Sequence, residues 1–283
     1  MKKKINIFIY SYKNKTLLDT VNNLINLSSK NFYLKFFIFD QSNVSKEKDY
    51  YSYHNVIYKF IKWDDFMGVP HYRNQILNSK CDYYLEISDQ ITLTQDWDKS
   101  LVNFLELNNN SVVSGKGVSN LKLNNFIIKE EEKTFNDFYL NNWINKDFLF
   151  LKQNDIKFLS SLNMFKYYGQ DIFLLTQFIK NNIEIYSCPS SFYSVKKRKN
   201  LEDSYSLIDL YYNYNHAIKY LKENKIKLKI FEVNKNINID ELCYLPFNNI
   251  GVEYSSVVSN LDTLTNKYYP INRSISLKEL YNG

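Results

Sequence analysis

The chain has 283 residues, 45% of them hydrophobic and 17% aromatic, which excludes a largely disordered polypeptide and suffices for one large α/β domain, or for one domain with a smaller appendage. The formal charge of +6 suits anionic ligands, a nucleotide diphosphate or nucleic acid among them, although an ordinary Lys-rich solvated surface accounts for it equally well. Cys81, Cys188 and Cys243 lack metal-ligand spacing and read as free thiols of a reducing compartment. The apolar stretch Ile5–Tyr10 is too short for a secretory core or a membrane span, so a soluble cytoplasmic chain with no membrane partner is expected.

Ile5 to Tyr10 predicts a first strand. Thr16 to Leu27 places Leu17, Leu18, Val21, Leu24, Ile25 and Leu27 near helical period. Leu34 to Phe39 is a second strand, followed by Asp40-Gln41-Ser42, and Val56 to Ile61 a third. Continuous apolar strands alternating with amphipathic helices predict a mostly parallel sheet covered on both faces. Gly68-Val69-Pro70 opens a helix to Asn78, since proline is tolerated in a first helical turn. Asp82 to Ile87 is a fourth strand, ending at Ser88-Asp89-Gln90.

Asp96 is placed to cap a helix reaching Leu107. Val112-Val113 begins a short strand, and the polar residues 115–145 predict a loop. Gly169-Gln170 precedes a helix over Asp171–Asn181, then a strand over Ile183–Cys188 and the basic run Lys196-Lys197-Arg198-Lys199. From Ser204 to Glu223 the chain is Tyr-rich with helical period, and short strands and loops follow. These readings divide the chain into an α/β domain over 1–200 and a helical and mixed extension over 201–283, packed on it and a candidate to face an acceptor.

In open α/β sheets ligands bind beyond the carboxyl ends of the strands, so polar residues there are the first candidates. Ser11, Tyr12, Asp40 and Ser88-Asp89-Gln90 stand at such ends. Asp40 can accept a hydrogen bond from a uracil ring N–H or serve as a turn aspartate. Arg73, near a helix start, can clamp a phosphate with two donors or lie on a surface; His71 beside it reads as structural. Asp89 can offer a hard oxygen to a divalent cation bridging two phosphates. Glu86, three residues earlier, faces the other way by strand alternation. Asp171 caps a helix or acts as a carboxylate beside a reacting group. Lys196, Lys197 and Arg198 can neutralise a diphosphate or form a solvated loop. Tyr10-Ser11-Tyr12-Lys13-Asn14 contains no glycine, which argues against a dinucleotide or P-loop site.

In order, the chain shows a strand then Ser-Tyr, a strand then Asp-Gln-Ser, Gly68 through Arg73-Asn74 opening a helix, Asp82-Tyr83-Tyr84-Leu85-Glu86-Ile87-Ser88-Asp89-Gln90, Trp97-Asp98, and later Gly169-Gln170-Asp171. This order over residues 5–195 resembles the GT-A-fold glycosyltransferases, chiefly the cytoplasmic hydroxyproline GlcNAc-transferases and more distantly the family-2 enzymes. The resemblance implies a UDP-sugar donor, a hydroxyl acceptor and retention of anomeric configuration. It assigns Ser11, Tyr12 and Asp40 to the nucleoside pocket, Arg73 to the base or diphosphate, Asp89 to a Mn or Mg ion, and Asp171 to the acceptor side. Where that family has Asp-x-His or Asp-x-Asp, this chain has Ser88-Asp89-Gln90. Two consequences are open: a cation bound through Asp89 and waters, or metal-free stabilisation by Lys196, Lys197 and Arg198. The acceptor is a protein hydroxyl, a hydroxymethylated DNA base or a glycan. A non-catalytic binding module is the competing reading.

Overall fold

The computed structural model describes residues 2–11, 16–41, 45–50, 52–62, 69–115, 126–127, 134–135, 138–141, 144, 148–159, 174, 177–178, 180–188, 193–195 and 232–233. The chain opens with β1 (Lys4–Ser11), α1 (Leu17–Asn26), β2 (Tyr33–Asp40) and β3 (Val56–Phe60). Next come α2 (Val69–Leu77), β4 (Tyr83–Ser88), β5 (Ile91–Leu93), α3 (Trp97–Leu107) and β6 (Ser111–Ser114). Further strands are β7 (Phe126–Ile127), β8 (Thr134–Phe135), β9 (Phe138–Asn141), β10 (Phe148–Lys152), β11 (Glu184–Ser187), β12 (Tyr193–Val195) and β13 (Glu232–Val233).

Nine strands form one sheet in the order β3-β2-β1-β4-β10-β6-β11-β9-β8. All run the same way except β10 and β9, so the sheet is mixed but mostly parallel. The fold is therefore the expected Rossmann-like α/β class. The first four predicted strands are present, each with ends within about two residues of expectation, as usual for strand boundaries. The continuous apolar runs of β1, β2 and β4 follow from burial on both faces, whereas β3 is the edge strand.

Strand alternation gives the two faces different contents. Ile5, Ile7, Ile9, Phe36, Ile38, Leu85, Ile87, Phe148 and Phe150 share one core with Leu17, Val21 and Leu24 of α1 and Trp97, Leu101 and Leu105 of α3. The opposite face carries Phe8, Phe39 and Tyr72 of α2 in a chain of ring contacts at 5.6 and 5.2 Å. The Trp97 indole donates to the Leu24 carbonyl at 3.0 Å, and Asp98 accepts from the Ser29 amide at 2.8 Å. Trp97-Asp98 thus fastens the start of α3 to the end of α1.

Three expectations need correction. No strand is expected at Phe148–Lys152, yet β10 lies inside the sheet between β4 and β6, antiparallel to both. The stretch 115–145 is not one loop, since β7, β8 and β9 fall within it and β9 joins the sheet beside β11. Asp96 stands at the N-cap of α3 but has left-handed φ of 57° and makes no side-chain cap; its amide donates to the Leu27 carbonyl instead. Of the 201–283 extension only β13 is described, paired antiparallel with β7, and the predicted helix over 204–223 lies outside the described residues. Cys81 and Cys188 are free thiols as expected. Burial pushes the Cys81 thiol up to about 11, an unreactive state at neutral pH.

Phe150 on β10 is wholly buried and stacks on Tyr83 at 5.6 Å, whereas Ile57 on edge strand β3 is 47% exposed. Phe150→Ala is expected to cost about 3–5 kcal/mol in urea denaturation. Ile57→Ala is expected to stay within roughly 0.5 kcal/mol, which marks β10 as interior.

Candidate functional site

β1 lies between β2 and β4: the chain runs outward from β1 through β2 to β3 and then returns to place β4 on the other side of β1. Such a reversal of strand order opens a crevice at the carboxyl edge, where ligands of open α/β sheets sit. The residues at that edge are Ser11 at the end of β1, Asp40 at the end of β2, and Ser88-Asp89-Gln90 after β4. Register pairs Ser11 with Asp40 and Tyr10 with Ser88, so the three strand ends are level.

Ser11 and Asp89 meet directly across this crevice. The Ser11 hydroxyl donates to Asp89 Oδ2 at 2.7 Å, and both side chains are fully enclosed. The Ser88 hydroxyl reaches Asp89 Oδ1 at 3.5 Å, the limit of a hydrogen bond. The Asp89 carbonyl accepts from the Thr20 hydroxyl at 2.8 Å and the Thr16 hydroxyl at 3.2 Å. Thr16 and Thr20 are four residues apart and so share one side of the α1 start. Thr16 occupies the N-cap but makes no side-chain cap, because its hydroxyl goes to Asp89. Asp89 thereby fixes the β4–β5 turn to β1 and α1 together. In the sequence Thr16 and Thr20 show only as two hydroxyls at helical spacing after a strand end.

Asp40 lies on the same face, fully buried, and accepts the Tyr58 hydroxyl at 2.9 Å. Tyr50 stacks on Tyr58 at 5.1 Å between ring centroids. Burial first, and the Asp40 charge with it, pushes both phenols upward, so each keeps its proton and Tyr58 remains a donor. These two tyrosines, which come from a 3-10 turn over Glu47–Tyr50 and from β3, carry no signal of this role in the sequence.

Arg73 is elsewhere. It extends from α2 on the opposite face, 1% exposed, and donates through Nε and Nη2 to the two oxygens of Glu86, the first at 2.6 Å. The Tyr84 hydroxyl donates to Glu86 Oε2 at 3.3 Å. Burial alone would lower the guanidinium pKa; the Glu86 charge outweighs it, so the pKa rises and Arg73 stays charged. Asp40 and Asp89 thus share a face, while Arg73 is committed to a buried pair beneath the other. The expected convergence of Arg73 on them is corrected, because Glu86 supplies a closer partner on the strand that α2 covers. Glu86 does face away from Asp89, as alternation predicts. His71 is exposed on α2, its ring 3.0 Å from the Gln75 amide nitrogen.

Ser88 and Gln90, both half-buried and uncharged, flank the enclosed Asp89 at the β4–β5 turn. A divalent cation requires several hard oxygen ligands, usually including carboxylates. Among the described residues no three His, Cys, Asp or Glu side chains cluster as metal ligands, and the one carboxylate at this turn is directed at Ser11. The described residues here do not fit a Mn or Mg ion. Beyond the turn, β5 pairs antiparallel with β12, with Val195 opposite Ile91. The remaining candidates, Tyr12, Asp171, Lys196, Lys197 and Arg198, lie outside the described residues.

Removing one partner of a buried bidentate pair strands the other charge. Arg73→Met and Glu86→Leu are each expected to cost about 3–5 kcal/mol in urea denaturation, and the double variant less than the sum. Simple addition of the two losses would show that the pair is not coupled.

No known protein-family description matches the chain, and no curated protein is similar to it in sequence. Solved structures are similar in fold. GalNAc-T7 with UDP, GalNAc and Mn2+ superposes at a TM-score of 0.58 and 11% identity, over 95% of this chain and 58% of that one. The mannosyltransferase PcManGT from Pyrobaculum calidifontis, in complex with GDP-Man and Mn2+, does so at 0.54 and 10% identity, over 79% and 65%. The chain therefore spans less than two thirds of the length of either structure. The GT-A fold of these glycosyltransferases is the fold of this chain.

Proposed function

We propose that the chain transfers a sugar from a nucleoside diphosphate donor, a UDP-sugar in the first instance, to a hydroxyl acceptor. The observation that carries this reading is the Ser11–Asp89 hydrogen bond of 2.7 Å, which fixes the β4–β5 turn at the switch point level with Asp40. Two GT-A structures with nucleotides or nucleotide sugars in their names share the fold, which supports the same class of donor.

In this reading the nucleoside rests on the Ser11–Asp40 side, with Tyr12 beside it and Asp40 as acceptor for a base N–H. The diphosphate runs across the turn at Ser88 and Gln90. The anomeric C1–O bond to the phosphate breaks and its electron pair leaves with the nucleoside diphosphate. The acceptor oxygen bonds to C1, and its proton passes to a carboxylate, the role proposed for Asp171. Arg73 contributes at a distance, by holding α2 to the sheet through Glu86. Most of the rate enhancement then comes from holding donor and acceptor together and from stabilising the leaving group.

A donor-binding protein without turnover is the second reading, favoured by the uncharged Ser88 and Gln90 on either side of Asp89. A panel of UDP- and GDP-sugars separates the two. The transferase reading expects a thermal shift and slow hydrolysis with at least one donor, and Asp171→Asn lowering turnover by about 10²–10⁴-fold. Binding without hydrolysis, with any acceptor class, supports the second reading. No shift and no hydrolysis with any donor contradicts both.

A further inference from the structure

We propose that the amino edge of the sheet, opposite the candidate site, docks the chain on an anionic membrane surface through a row of lysines, with Tyr33 and Leu107 seated in the headgroup layer.

β1, β2 and β4 all start at this edge, so the segments that lead into them are neighbours. The Lys3 carbonyl accepts the Tyr33 amide at 2.9 Å, and the Lys4 carbonyl accepts the Asp82 amide at 2.9 Å. Antiparallel β10 ends here, with Lys152 opposite Tyr83. Lys2, Lys3, Lys4, Lys30, Lys80 and Lys152 therefore stand in a row across β2, β1, β4 and β10, about 15 Å long at the usual strand spacing. Lys2, Lys3, Lys30 and Lys80 are exposed.

Their contacts hold these lysines without neutralising them. Lys2 donates to the Lys30 carbonyl at 2.7 Å, Lys30 to the Ile25 carbonyl, and Lys152 to the Asn109 side-chain oxygen at 3.3 Å. Among the described residues only Lys3 of the six is in an ion pair, with Glu106 at 3.4 Å. Of the other carboxylates nearby, Asp82 accepts the Lys4 amide at 2.7 Å, half-buried Asp155 has Lys157 and Lys152 about it, and Asp96 has Lys99 one turn along α3. The edge keeps an excess of positive charge.

Two large apolar side chains interrupt that charge. Tyr33, at the start of β2, is 44% exposed, and Leu107, at the end of α3, is 66% exposed. They flank Lys3, which meets Tyr33 through the backbone and Glu106, the neighbour of Leu107, through its ion pair. Lysines around an aromatic and an aliphatic group suit a bilayer surface: ammonium groups meet lipid phosphates while apolar groups enter the headgroup layer. A nucleic acid would meet the lysines through its phosphates and leave Leu107 in water. Docking of this kind requires no spanning segment, and no helix among the described residues is long and apolar enough to be one. β1 runs eight residues from Lys4 to Ser11, so the candidate site stands roughly 23 Å from the docked edge and faces away from the bilayer.

The test is co-sedimentation of the full chain with phosphatidylcholine vesicles and with mixed phosphatidylcholine–phosphatidylglycerol vesicles, beside fluorescence anisotropy with a short duplex DNA. The chain is expected to bind the anionic vesicles alone, and less as salt rises. Lys2→Gln/Lys4→Gln/Lys80→Gln is expected to weaken that binding about a hundredfold, at about fivefold for each lysine, and Leu107→Ser about fivefold, both with the parent far-UV circular dichroism spectrum. Equal binding to the two vesicle types, or none to the anionic ones at low salt, would overturn the proposal, as would parent affinity in the folded triple variant. Tighter binding to the duplex than to anionic vesicles, unchanged in Leu107→Ser, would also overturn it and assign the edge to nucleic acid. Donor hydrolysis by the free chain is read without vesicles, so failure here leaves the transferase reading standing.

Discussion

The hydrogen bond between Ser11 and Asp89 joins the two strands on either side of the switch point, and the rest of the carboxyl edge is arranged around it. Asp89 takes one hydroxyl on its carboxylate from β1 and two on its carbonyl from the start of α1. A single residue thereby sets the height of the β4–β5 turn, the entry of α1 and the end of β1. In a fully buried position each of these groups would be costly to leave unpaired, which makes the arrangement all-or-none. Register then places Asp40 level with Ser11.

The two faces of the sheet divide the labour. The face toward α1 and α3 carries the aliphatic core and, at its carboxyl end, the polar residues Ser11, Asp40 and Asp89. The face toward α2 carries aromatic packing and the Arg73–Glu86–Tyr84 cluster. That cluster is wholly buried, so its net stabilising value is small while the loss of one partner is large. Its effect is to hold α2 against the centre of the sheet.

The first half of the fold is legible in the sequence because β1, β2 and β4 are covered on both sides and show as unbroken apolar runs. β10 is as apolar as they are, Phe148-Leu149-Phe150-Leu151, but it follows a polar stretch and enters the sheet antiparallel, out of chain order. Local pattern does not encode such a placement, which depends on pairing with β4 more than fifty residues earlier. The site divides in the same way. Strand ends identify Ser11, Asp40 and Asp89. The environment of Arg73 is set by Glu86 across a helix–strand contact, and that of Asp40 by Tyr58 on the next strand; neither follows from the residues on its own element. Trp97-Asp98, present in the sequence only as part of a motif, acquires a physical function as the clamp between α1 and α3.

A crystal structure of the chain soaked with UDP tests the central claim most directly. The account predicts density for the uridine against Ser11 and Asp40 and for the diphosphate against the Ser88–Gln90 turn, with the Ser11–Asp89 bond intact. Nucleotide density on the α2 face, or a turn reorganised so that Asp89 leaves Ser11, would contradict it.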